Sequence, residues 1–505
     1  MRQRLPSVIV TGASGFIGRH VVSALLDDHR VYALARRPRR EVDLPAHPHL
    51  RWILVDVADA ARVGRALAPL QAEPEHRLLV HLAGHYDFTG RDHPEYRRTN
   101  VEGTRIMLRW AHRLGVGRFL LASSVAACRF PAPGERVGPD TPADADHPYA
   151  ASKREAEALT DAAPLPTVIV RLAAVFSDWC EYAPLYTLLE MWRRPGRRGR
   201  LLAGDGRFAI PYLHVEDVVD LVRQVLARGG DLPRHARYVA APPAATSHRE
   251  IFLRVRELVS LRPERPLSVP PALARAALVV AERAGELVGR PPFLRPWMLD
   301  YLGRRLETDP SRTRRELGWT ATPRRFLLRR LPLLLEMARS DPWQWHRRNT
   351  AAMKRERPRR PALVVADAML AMKDEIVAEL LAAVQGEEGR RRLPRYNALD
   401  PEKLRLYLEI TYDLLLGSVR TGDRLALVNY CRFLANIRSR EGFTAREMTT
   451  ALRLVGETIR RRLLARPEVA PLAATVQQGL MTAVALAVDE VEETFALIER
   501  RRGGS

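Results

Sequence analysis

Cysteine is scarce in this sequence, and its scarcity excludes a disulfide scaffold. The 505 residues include three cysteines, Cys128, Cys180 and Cys431, whose spacing fits neither a disulfide framework nor a cluster of metal ligands. Such sparse use of cysteine is typical of a reducing compartment. The sequence therefore predicts a cytoplasmic protein without a metal site.

Long hydrophobic runs are absent as well. No window approaches about 18 uncharged apolar residues, so we expect no membrane span. The most apolar stretch, Ala272 to Val288, is interrupted by charged residues such as Arg275 and Glu282, and it is predicted to form an amphipathic helix. An apolar strand and a glycine turn follow the N-terminus almost at once, so no secretory leader is expected.

Negative charge is outnumbered by positive charge. The chain has 81 lysines and arginines against 59 aspartates and glutamates, a formal net charge of +22. Such a charge would suit a nucleic acid or an anionic membrane. Because the arginines are spread along the whole chain, we interpret them as a solvated surface and expect no nucleic-acid partner. Two runs are denser: Arg193 to Arg200 could meet an anionic substrate, and Lys354 to Arg360 is interpreted as part of a linker.

The distribution of apolar runs divides the chain into domains, because 505 residues exceed one compact core. Over residues 1–176, short β-branched runs alternate with helical stretches. This alternation predicts an α/β fold with a Rossmann-type, doubly wound parallel sheet. Residues 177–340 have shorter elements and are expected to form a smaller substrate-binding lobe of the same enzyme. Residues 341–361, rich in Arg, Pro and Trp, are predicted to be a linker.

The last segment, residues 362–500, has a helical pattern throughout. Apolar residues recur at three- and four-residue spacing, as at Ile376, Leu380 and Val384. No pair of His and Glu ligands is recognisable there, so a metal-centred bundle is not expected. The sequence predicts a separate all-α helical bundle with a regulatory or oligomerisation role. A homodimer or a protein partner through this bundle is left open.

A glycine-rich turn follows the first predicted strand. Gly12 suits a tight turn, Gly15 a close approach of the backbone to a pyrophosphate, and Gly18 close packing of helix on sheet. The amides and the dipole of the following helix favour phosphate groups. We therefore expect a dinucleotide at this turn, contacted by Gly12, Ser14, Gly15, Phe16, Ile17 and Gly18.

The end of the second predicted strand, Ala35-Arg36-Arg37, indicates which dinucleotide is used. An acidic residue at this point would bind the ribose 2′-hydroxyl of NAD, whereas arginine suits the 2′-phosphate of NADP. We therefore predict NADP, bound by Arg36 and Arg37, and leave NAD open. The alternative is a solvated basic turn, since Arg39 and Arg40 continue the run.

Tyr149 and Lys153 stand four residues apart, so a helix places them on one face. Moving the pKa of a phenol from about 10 to about 7 takes roughly 4 kcal/mol. A cation at about 4 Å, in an effective dielectric of about 20, supplies energy of that order. Ser123 and Ser124 end the preceding predicted strand, at the sheet edge where ligands bind. A hydroxyl there, with Ser124 preferred over Ser123, can hold a substrate oxygen while Tyr149 transfers a proton.

In this order, the glycine turn, the serine and the Tyr149–Lys153 pair resemble the extended short-chain dehydrogenase/reductase family, also called the NAD-dependent epimerase/dehydratase family. The resemblance covers about residues 7–335. It implies that Ser124 orients the substrate oxygen and that Tyr149 is the general acid/base. Lys153 would lower the pKa of Tyr149 and hold the nicotinamide ribose. Further cofactor contacts that the resemblance implies are Asp56, Val57, Leu82, Ala83, Gly84 and Asn100.

Departures from the family pattern narrow the expected reaction. Val125 and Ala126 replace an Asp-Glu pair that is usual in sugar-nucleotide 4,6-dehydratases, which argues against dehydration. Cys128 and Leu172 replace a tyrosine and a proline, which weakens the likeness to nucleotide-sugar epimerases. The second lobe is similar to the ketone-reducing branches, such as 3β-hydroxysteroid dehydrogenases and dihydroflavonol reductases. Candidates for an apolar pocket wall are Phe208, Phe293 and Trp297.

The helical segment resembles, over about residues 362–497, the N-terminal helical domain of RsbR-type stressosome co-antagonists, through Phe443 to Met448 and the helix that follows. This implies signalling or dimerisation through helix faces. The chain is therefore expected to be an NAD(P)-dependent oxidoreductase that moves hydride to or from a small-molecule ketone or alcohol. The alternatives are a nucleotide-sugar epimerase with the same residues, and a non-catalytic NADP(H)-sensing regulator that signals through the bundle.

Overall fold

The computed structural model describes residues 5–42, 44, 46–72, 76–262, 264–287, 292–352 and 361–503. The chain divides into two compact units, Met1–Arg357 and Pro358–Ser505. Each unit has apolar cores of its own. The basic run from Lys354 to Arg360, which the sequence assigns to a linker, lies outside the described residues.

The described part of the first unit mixes strands and helices. The strands are β1 (Ser7–Thr11), β2 (Arg30–Ala35), β3 (Leu50–Leu54), β4 (His76–His81), β5 (Arg118–Ser124), β6 (Thr167–Leu172), β7 (Ala174–Phe176), β8 (Leu201–Ala203), β9 (Ala209–Ile210), β10 (Tyr212–His214), β11 (His235–Ala240), β12 (Thr246–Ser247) and β13 (Leu267–Val269). The helices are α1 (Phe16–Leu25), α2 (Ala60–Leu67), α3 (Gly103–Arg113), α4 (Pro148–Asp161), α5 (Ala183–Trp192), α6 (Val215–Arg228), α7 (His248–Ser260), α8 (Pro271–Leu287), α9 (Ser311–Leu317), α10 (Leu327–Ser340) and α11 (Pro342–Ala352). A π-helical stretch, Tyr96–Glu102, leads into α3.

Seven of these strands form a parallel sheet in the order β11-β6-β5-β4-β1-β2-β3. Side chains alternate along β1, so Val8 and Val10 enter one core and Ile9 enters the core on the opposite face. The strand order reverses between β1 and β4. In such sheets, ligands bind in the crevice outside the carboxyl ends of the strands at this point. The predicted Rossmann-type fold is confirmed.

Strand β11 corrects the expected end of the sheet. The sequence pattern places the whole sheet before residue 177, yet β11 (His235–Ala240) pairs in parallel with β6 as the edge strand. Its first half carries the polar residues His235 and Arg237. The three consecutive residues that are fully buried, Tyr238 to Ala240, lie in its second half. Because half of the strand lies at an open edge, its sequence lacks the continuous apolar run of a central strand.

Helix α11 corrects the expected linker. The sequence assigns residues 341–361 to a linker, but Pro342–Ala352 forms a helix of the first unit. Trp345 is buried in a core with Trp192 and Phe252, and its indole N–H donates to a carboxylate oxygen of Glu190 at 2.9 Å. Trp345, which the sequence assigns to a linker, is therefore part of the core of the second lobe.

The described part of the second unit is helical, which confirms the predicted all-α domain. Its helices are α12 (Pro361–Ala371), α13 (Lys373–Gln385), α14 (Glu387–Arg392), α15 (Pro394–Asn397), α16 (Pro401–Thr421), α17 (Leu425–Arg440), α18 (Ala445–Leu464), α19 (Ala473–Val476) and α20 (Thr482–Gly503). Asp400 caps α16 and Thr444 caps α18 through their side chains. The predicted apolar positions Ile376, Leu380 and Val384 lie in the core.

One stretch of the second unit, Ala470–Arg500, is long and apolar enough to cross a membrane by length and composition alone. Its mean hydropathy is 1.4 in the best window, and a third of that window is buried. Val484, Val488 and Val491 from this stretch pack in the core of the bundle. A single helix of this kind is weak evidence for a span, because the core helix of a bundle has the same composition.

Candidate active site

A cavity of about 1790 Å³ lies at the carboxyl edge of the sheet and contains most of the predicted site. Predicted residues that line it are Gly12, Ser14, Gly15, Phe16, Ile17, Gly18, Arg36, Arg37, Asp56, Val57, Leu82, Ala83, Gly84, Ser124, Tyr149 and Lys153. They follow the ends of β1, β2, β3, β4 and β5 or lie on α4. One wall is therefore the cofactor crevice expected of this fold, and the catalytic candidates stand in the same cavity.

The glycine turn is shaped so that a side chain at two of its positions would collide with backbone. Gly12 has φ +66°, and a Cβ built on it would lie 2.7 Å from the amide nitrogen of Ala83. A Cβ on Gly18 would overlap the carbonyl oxygen of Gly12. The N-terminus of α1 thus faces the cavity with its amides and positive dipole, which suits a pyrophosphate. These residues fit a bound dinucleotide.

The end of β2 presents cations to this crevice. The guanidinium of Arg37 donates to the carbonyl oxygen of Ser14 in the glycine turn. The Arg36 side chain is 60% exposed, and its guanidinium lies 3.7 Å from the carboxylate of Glu95. No carboxylate stands at the position after Ala35, where NAD-specific sites of this fold carry one.

Asp56 follows the end of β3 and keeps a charged carboxylate in the crevice. Partial burial would raise the pKa of Asp56, but hydrogen bonds from the Ala58 amide and the Arg98 guanidinium hold it below its usual value. Those bonds measure 3.0 Å and 2.5 Å. Asp56 is therefore an acceptor over the physiological range of pH.

Asn100 is not among the residues that line the cavity, and its contact with a cofactor stays a prediction. Its side chain lies behind the turn after β4, where it accepts from the His85 amide at 2.6 Å and donates to the His85 carbonyl at 3.1 Å. It also donates to the Ser152 hydroxyl of α4 at 2.9 Å. Asn100 therefore fixes the Gly84 turn and ties it to the helix of Tyr149.

The two serines at the end of β5 have different partners. Ser123 is buried and donates to the Glu157 carboxylate at 2.6 Å, while Arg171 donates to the same carboxylate at 3.1 and 2.8 Å. Ser124 instead shares a hydrogen bond with Tyr149, and this bond lowers the pKa of the phenol. Of the two candidates, Ser124 is the one beside the phenol.

Burial dominates the electrostatics of Tyr149 and Lys153. It raises the pKa of Tyr149 to about 12, although the Ser124 hydrogen bond acts in the opposite direction. It lowers the pKa of Lys153 to about 8, and the nearby Glu157 carboxylate acts against that change. The lysine ammonium donates to the Ala122 carbonyl at 2.8 Å and lies 5.9 Å from the centre of the Tyr149 ring.

Tyr149 and Lys153 therefore share one helix face, as predicted. The expected lowering of the phenol pKa, however, is not found. An ammonium about 4 Å from the phenol would lower the pKa of the phenol, whereas burial raises it. In the structure, burial outweighs the other influences on the phenol, so the pKa of Tyr149 lies above its usual value. At neutral pH, Tyr149 holds its proton and Lys153 is mostly charged.

Aromatic side chains that sequence reasoning missed enclose the phenol. The ring centre of Tyr86 is 4.4 Å from that of Tyr149 and 4.2 Å from that of Phe88. Phe88, with φ +58°, continues the contact to Tyr182 at 6.0 Å. Tyr86 and Phe88 follow Gly84 in a loop without periodicity, so only their closeness to the β4 turn could have indicated them.

The three predicted wall aromatics have different positions. Phe208 and Trp297 line the cavity, and Phe293 contacts Phe88 at 5.4 Å between ring centres. The run Arg193 to Arg200 does not line the cavity, which corrects its interpretation as a contact for an anionic substrate. Among the residues that the structure describes, no group of three or more His, Cys, Asp and Glu side chains is placed so that it could hold a metal ion.

Residues outside the predicted set complete the cofactor side. Arg19, one position after Gly18, forms an ion pair with the buried Glu181 carboxylate at 2.5 Å. Glu181 has φ +53°, and its amide donates to the Asn349 side chain of α11 at 2.8 Å. Arg347 and Arg348 of the same helix line the cavity. These contacts bring the end of the first unit to the cofactor crevice, although it looked like linker in sequence.

Comparison with known proteins gives three findings about the first unit. The model of the NAD dependent epimerase/dehydratase family matches residues 8–241. A 3-beta-hydroxysteroid dehydrogenase of Mycolicibacterium neoaurum is 33% identical over 129 residues, or 25% of this chain and 33% of that protein. A dTDP-glucose 4,6-dehydratase of Streptomyces griseus is 31% identical over 241 residues, or 44% of this chain and 70% of that protein.

Among solved structures, the dTDP-glucose 4,6-dehydratase of Bacillus anthracis in complex with NAD has a TM-score of 0.51 and 16% identity. The match covers 68% of this chain and 99% of that chain, and at this identity it shows the fold alone. The chain spans about a third of the length of the first curated relatives it matches. The family match ends at residue 241, so the RsbR-type interpretation of residues 362–497 remains a prediction.

Proposed function

Because the chain belongs to the NAD dependent epimerase/dehydratase family, we propose that its first unit is an NADP-dependent reductase of apolar small-molecule ketones. The observation that carries the proposal is the position of the Tyr149 phenol, which lies against the Tyr86 ring with Ser124 and the glycine turn in the same cavity. Because burial raises the pKa of Tyr149 to about 12, we expect this phenol to be protonated at neutral pH. Reduction of a ketone requires a hydride and a proton at neighbouring atoms, and this arrangement supplies a place for both.

The cofactor residues in this proposal have separate tasks. The amides of the turn from Gly12 to Gly18 hold the pyrophosphate, and Asp56 accepts from the adenine. Arg36 and Arg37 bind the 2′-phosphate that distinguishes NADP from NAD. The nicotinamide ring supplies the hydride, and the protein orients it. Lys153 holds the nicotinamide ribose from the floor of the cavity, where its ammonium donates to the Ala122 carbonyl.

The proton in this proposal comes from Tyr149. A phenol with a pKa of about 12 is fully protonated at neutral pH, so it can donate to the oxygen of a carbonyl as that oxygen gains charge. The Ser124 hydroxyl donates a second hydrogen bond to the same oxygen. Charged Lys153 stabilises the phenolate that is left behind, and its pKa of about 8 sets the upper limit of pH for this role.

The wall of the cavity supports an apolar substrate. Around the phenol stand the rings of Tyr86, Phe88 and Tyr182, and further along stand Phe130 and Tyr301, whose ring centres are 5.1 Å apart. An apolar ring system or an alkyl chain packs against such a wall better than a hydroxyl-rich sugar does, because buried sugar hydroxyls need polar partners.

A nucleotide-sugar epimerase is the second candidate. It is favoured by the 31% identity to a dTDP-glucose 4,6-dehydratase over 70% of that protein, together with the cations Arg347 and Arg348 in the cavity. An epimerase returns the hydride to its own substrate and consumes no dinucleotide. Under either function, the second unit keeps its proposed role in regulation or oligomerisation.

The test is NADPH oxidation with a panel of steroid, flavonoid and long-chain ketones. We expect turnover with at least one apolar ketone, and Tyr149→Phe should lower kcat by about 10²- to 10⁴-fold, since a general acid contributes that much. Tyr86→Phe is the matched control, because it removes a neighbouring phenolic hydroxyl and keeps the ring stack. A Tyr149→Phe protein with full activity would refute the proton assignment.

A further inference from the structure

Helix α8 (Pro271–Leu287) exposes most of its apolar side chains. Leu273 is 63% exposed, Val280 70% and Leu287 90%. Together with the exposed Ala276 and Ala284, they recur every three or four residues. They therefore form one apolar stripe along the outer face of the helix. Gly285 is the buried residue of this helix.

The inner face of the same helix belongs to the cavity. The partly buried Ala274 and Leu278 line it, and the exposed Ala277 borders it beside the stripe. The Arg295 guanidinium holds the helix through the Glu282 carboxylate at 2.7 Å. Helix α8 thus separates the substrate end of the cavity from the outside by a single layer of small and apolar side chains.

A basic cluster adjoins this stripe through the paired strands β8 and β13. In the register of this pair, Leu201 lies opposite Leu267, and both are exposed. Strand β13 leads through Pro270 directly into α8. The exposed arginines that precede the two strands are Arg194, Arg197, Arg198, Arg262 and Arg265. The acid between them, Glu264, is paired with the buried Arg256 at 2.7 Å, so it does not neutralise the cluster.

We propose that this face, the α8 stripe with the adjoining arginine cluster, docks on an anionic lipid bilayer. Exposed leucines and valines in an amphipathic helix beside several arginines are what a bilayer surface binds, since apolar side chains enter the interface and cations meet lipid phosphates. A hydrophobic ketone can then pass from the bilayer along α8 into the cavity. The substrate class in this inference, a membrane-borne lipid ketone, rests on the proposed function, but the docking does not.

The test of docking is sedimentation of the full chain with vesicles, without substrate or dinucleotide. Vesicles of phosphatidylcholine and phosphatidylglycerol should pellet the protein, and vesicles of phosphatidylcholine alone should not. Leu273→Ser with Val280→Ser should lower binding by at least tenfold. Arg197→Ser with Arg198→Ser should lower it about 25-fold at low salt, at about fivefold for each arginine near an anionic surface.

Matched controls change the same residue types elsewhere. Leu425→Ser removes a side chain that is 64% exposed in the second unit, and Arg391→Ser removes a guanidinium whose side chain is 73% exposed there. Both should bind vesicles as the unchanged chain does. Absence of binding to anionic vesicles would overturn the inference. Binding that is insensitive to the α8 variants, or a stripe variant that changes only the oligomeric state, would overturn it too, the latter by indicating a protein partner.

A second arm keeps this inference separate from the proposed function. The α8 variants should reduce a ketone dissolved in detergent-free buffer as fast as the unchanged chain, because Leu273 and Val280 do not line the cavity. With the same ketone embedded in anionic vesicles, the α8 variants should reduce it at least tenfold more slowly than the unchanged chain. Normal vesicle binding without any ketone reduction would refute the function and leave the docking intact.

Discussion

Replacing Lys153 by methionine should stabilise the first unit and abolish its activity. The lysine is buried, and burial lowers its pKa from an ordinary value of 10.5 to about 8. That difference corresponds to a cost of about 3 kcal/mol for holding the charge in the folded chain, at about 1.36 kcal/mol for each pH unit. The variant loses the hydrogen bond to the Ala122 carbonyl, about 1 kcal/mol. We therefore expect the free energy of unfolding to rise by about 2 kcal/mol at pH 7.

The sign of the pH dependence follows from the lowered pKa. The unfolded chain binds this proton more tightly than the folded chain does, so the stability of the unchanged protein rises with pH between about 8 and 10.5. Lys153→Met lacks this rise. The advantage of the variant should therefore be smaller by about 2 kcal/mol at pH 9.5 than at pH 7, since about 1.5 pH units separate 9.5 from the folded pKa.

Urea unfolding of both proteins at pH 7 and pH 9.5 measures this difference, and NADPH oxidation measures the loss of activity. Lys403→Met is the matched control, because Lys403 is exposed on the first turn of α16 and should show neither effect. A variant that is less stable than the unchanged chain at pH 7, or whose gain is the same at both pH values, would refute the reasoning.

Three further predictions concern neighbouring residues. Ser124→Ala should lower kcat by about 10²-fold or more. Ser123→Ala should instead lower the unfolding free energy by about 1–3 kcal/mol, through the lost hydrogen bond to the Glu157 carboxylate, which keeps its ion pair with Arg171. Comparable losses of kcat for the two variants in steady-state assays would contradict this. Arg36→Asp should weaken NADP binding at least tenfold in a fluorescence titration and favour NAD; an unchanged preference would discard the arginine argument. Asn100→Leu should lower stability in urea by about 1–3 kcal/mol, through the unsatisfied His85 backbone; unchanged stability would contradict it.

Local patterns in the sequence were sufficient to predict the glycine turn and the helix that carries Tyr149 and Lys153. Both depend on short spacing next to a strand end, and the carboxyl ends of parallel strands meet at one edge whatever the rest of the chain does. Asn100 could not be placed in the same way. It lies in a π-helical stretch, Tyr96–Glu102, whose phase differs from that of an α-helix, so its side chain points behind the turn.

The direction in which the pKa of Tyr149 changes could not be predicted without the three-dimensional fold. The distance from an ammonium to a phenol can be estimated from helical spacing. The burial that raises the pKa of Tyr149 depends on tertiary packing, to which Tyr86 contributes from a loop far away in sequence. Helix α11 was missed for a related reason. Its Trp345 looks like linker composition until Glu190 and the core of the second lobe are in place.

The most direct measurement of the central claim follows deuterium from NADPH labelled at the nicotinamide C4 on the transferred face. With an apolar ketone that is turned over, mass spectrometry should find one deuterium in the alcohol product for each NADPH oxidised. Tyr149→Phe should lower the amount of deuterated alcohol and the amount of NADPH oxidised by the same factor. Product or isomer that forms without deuterium and without oxidation of NADPH would contradict the account and favour an epimerase.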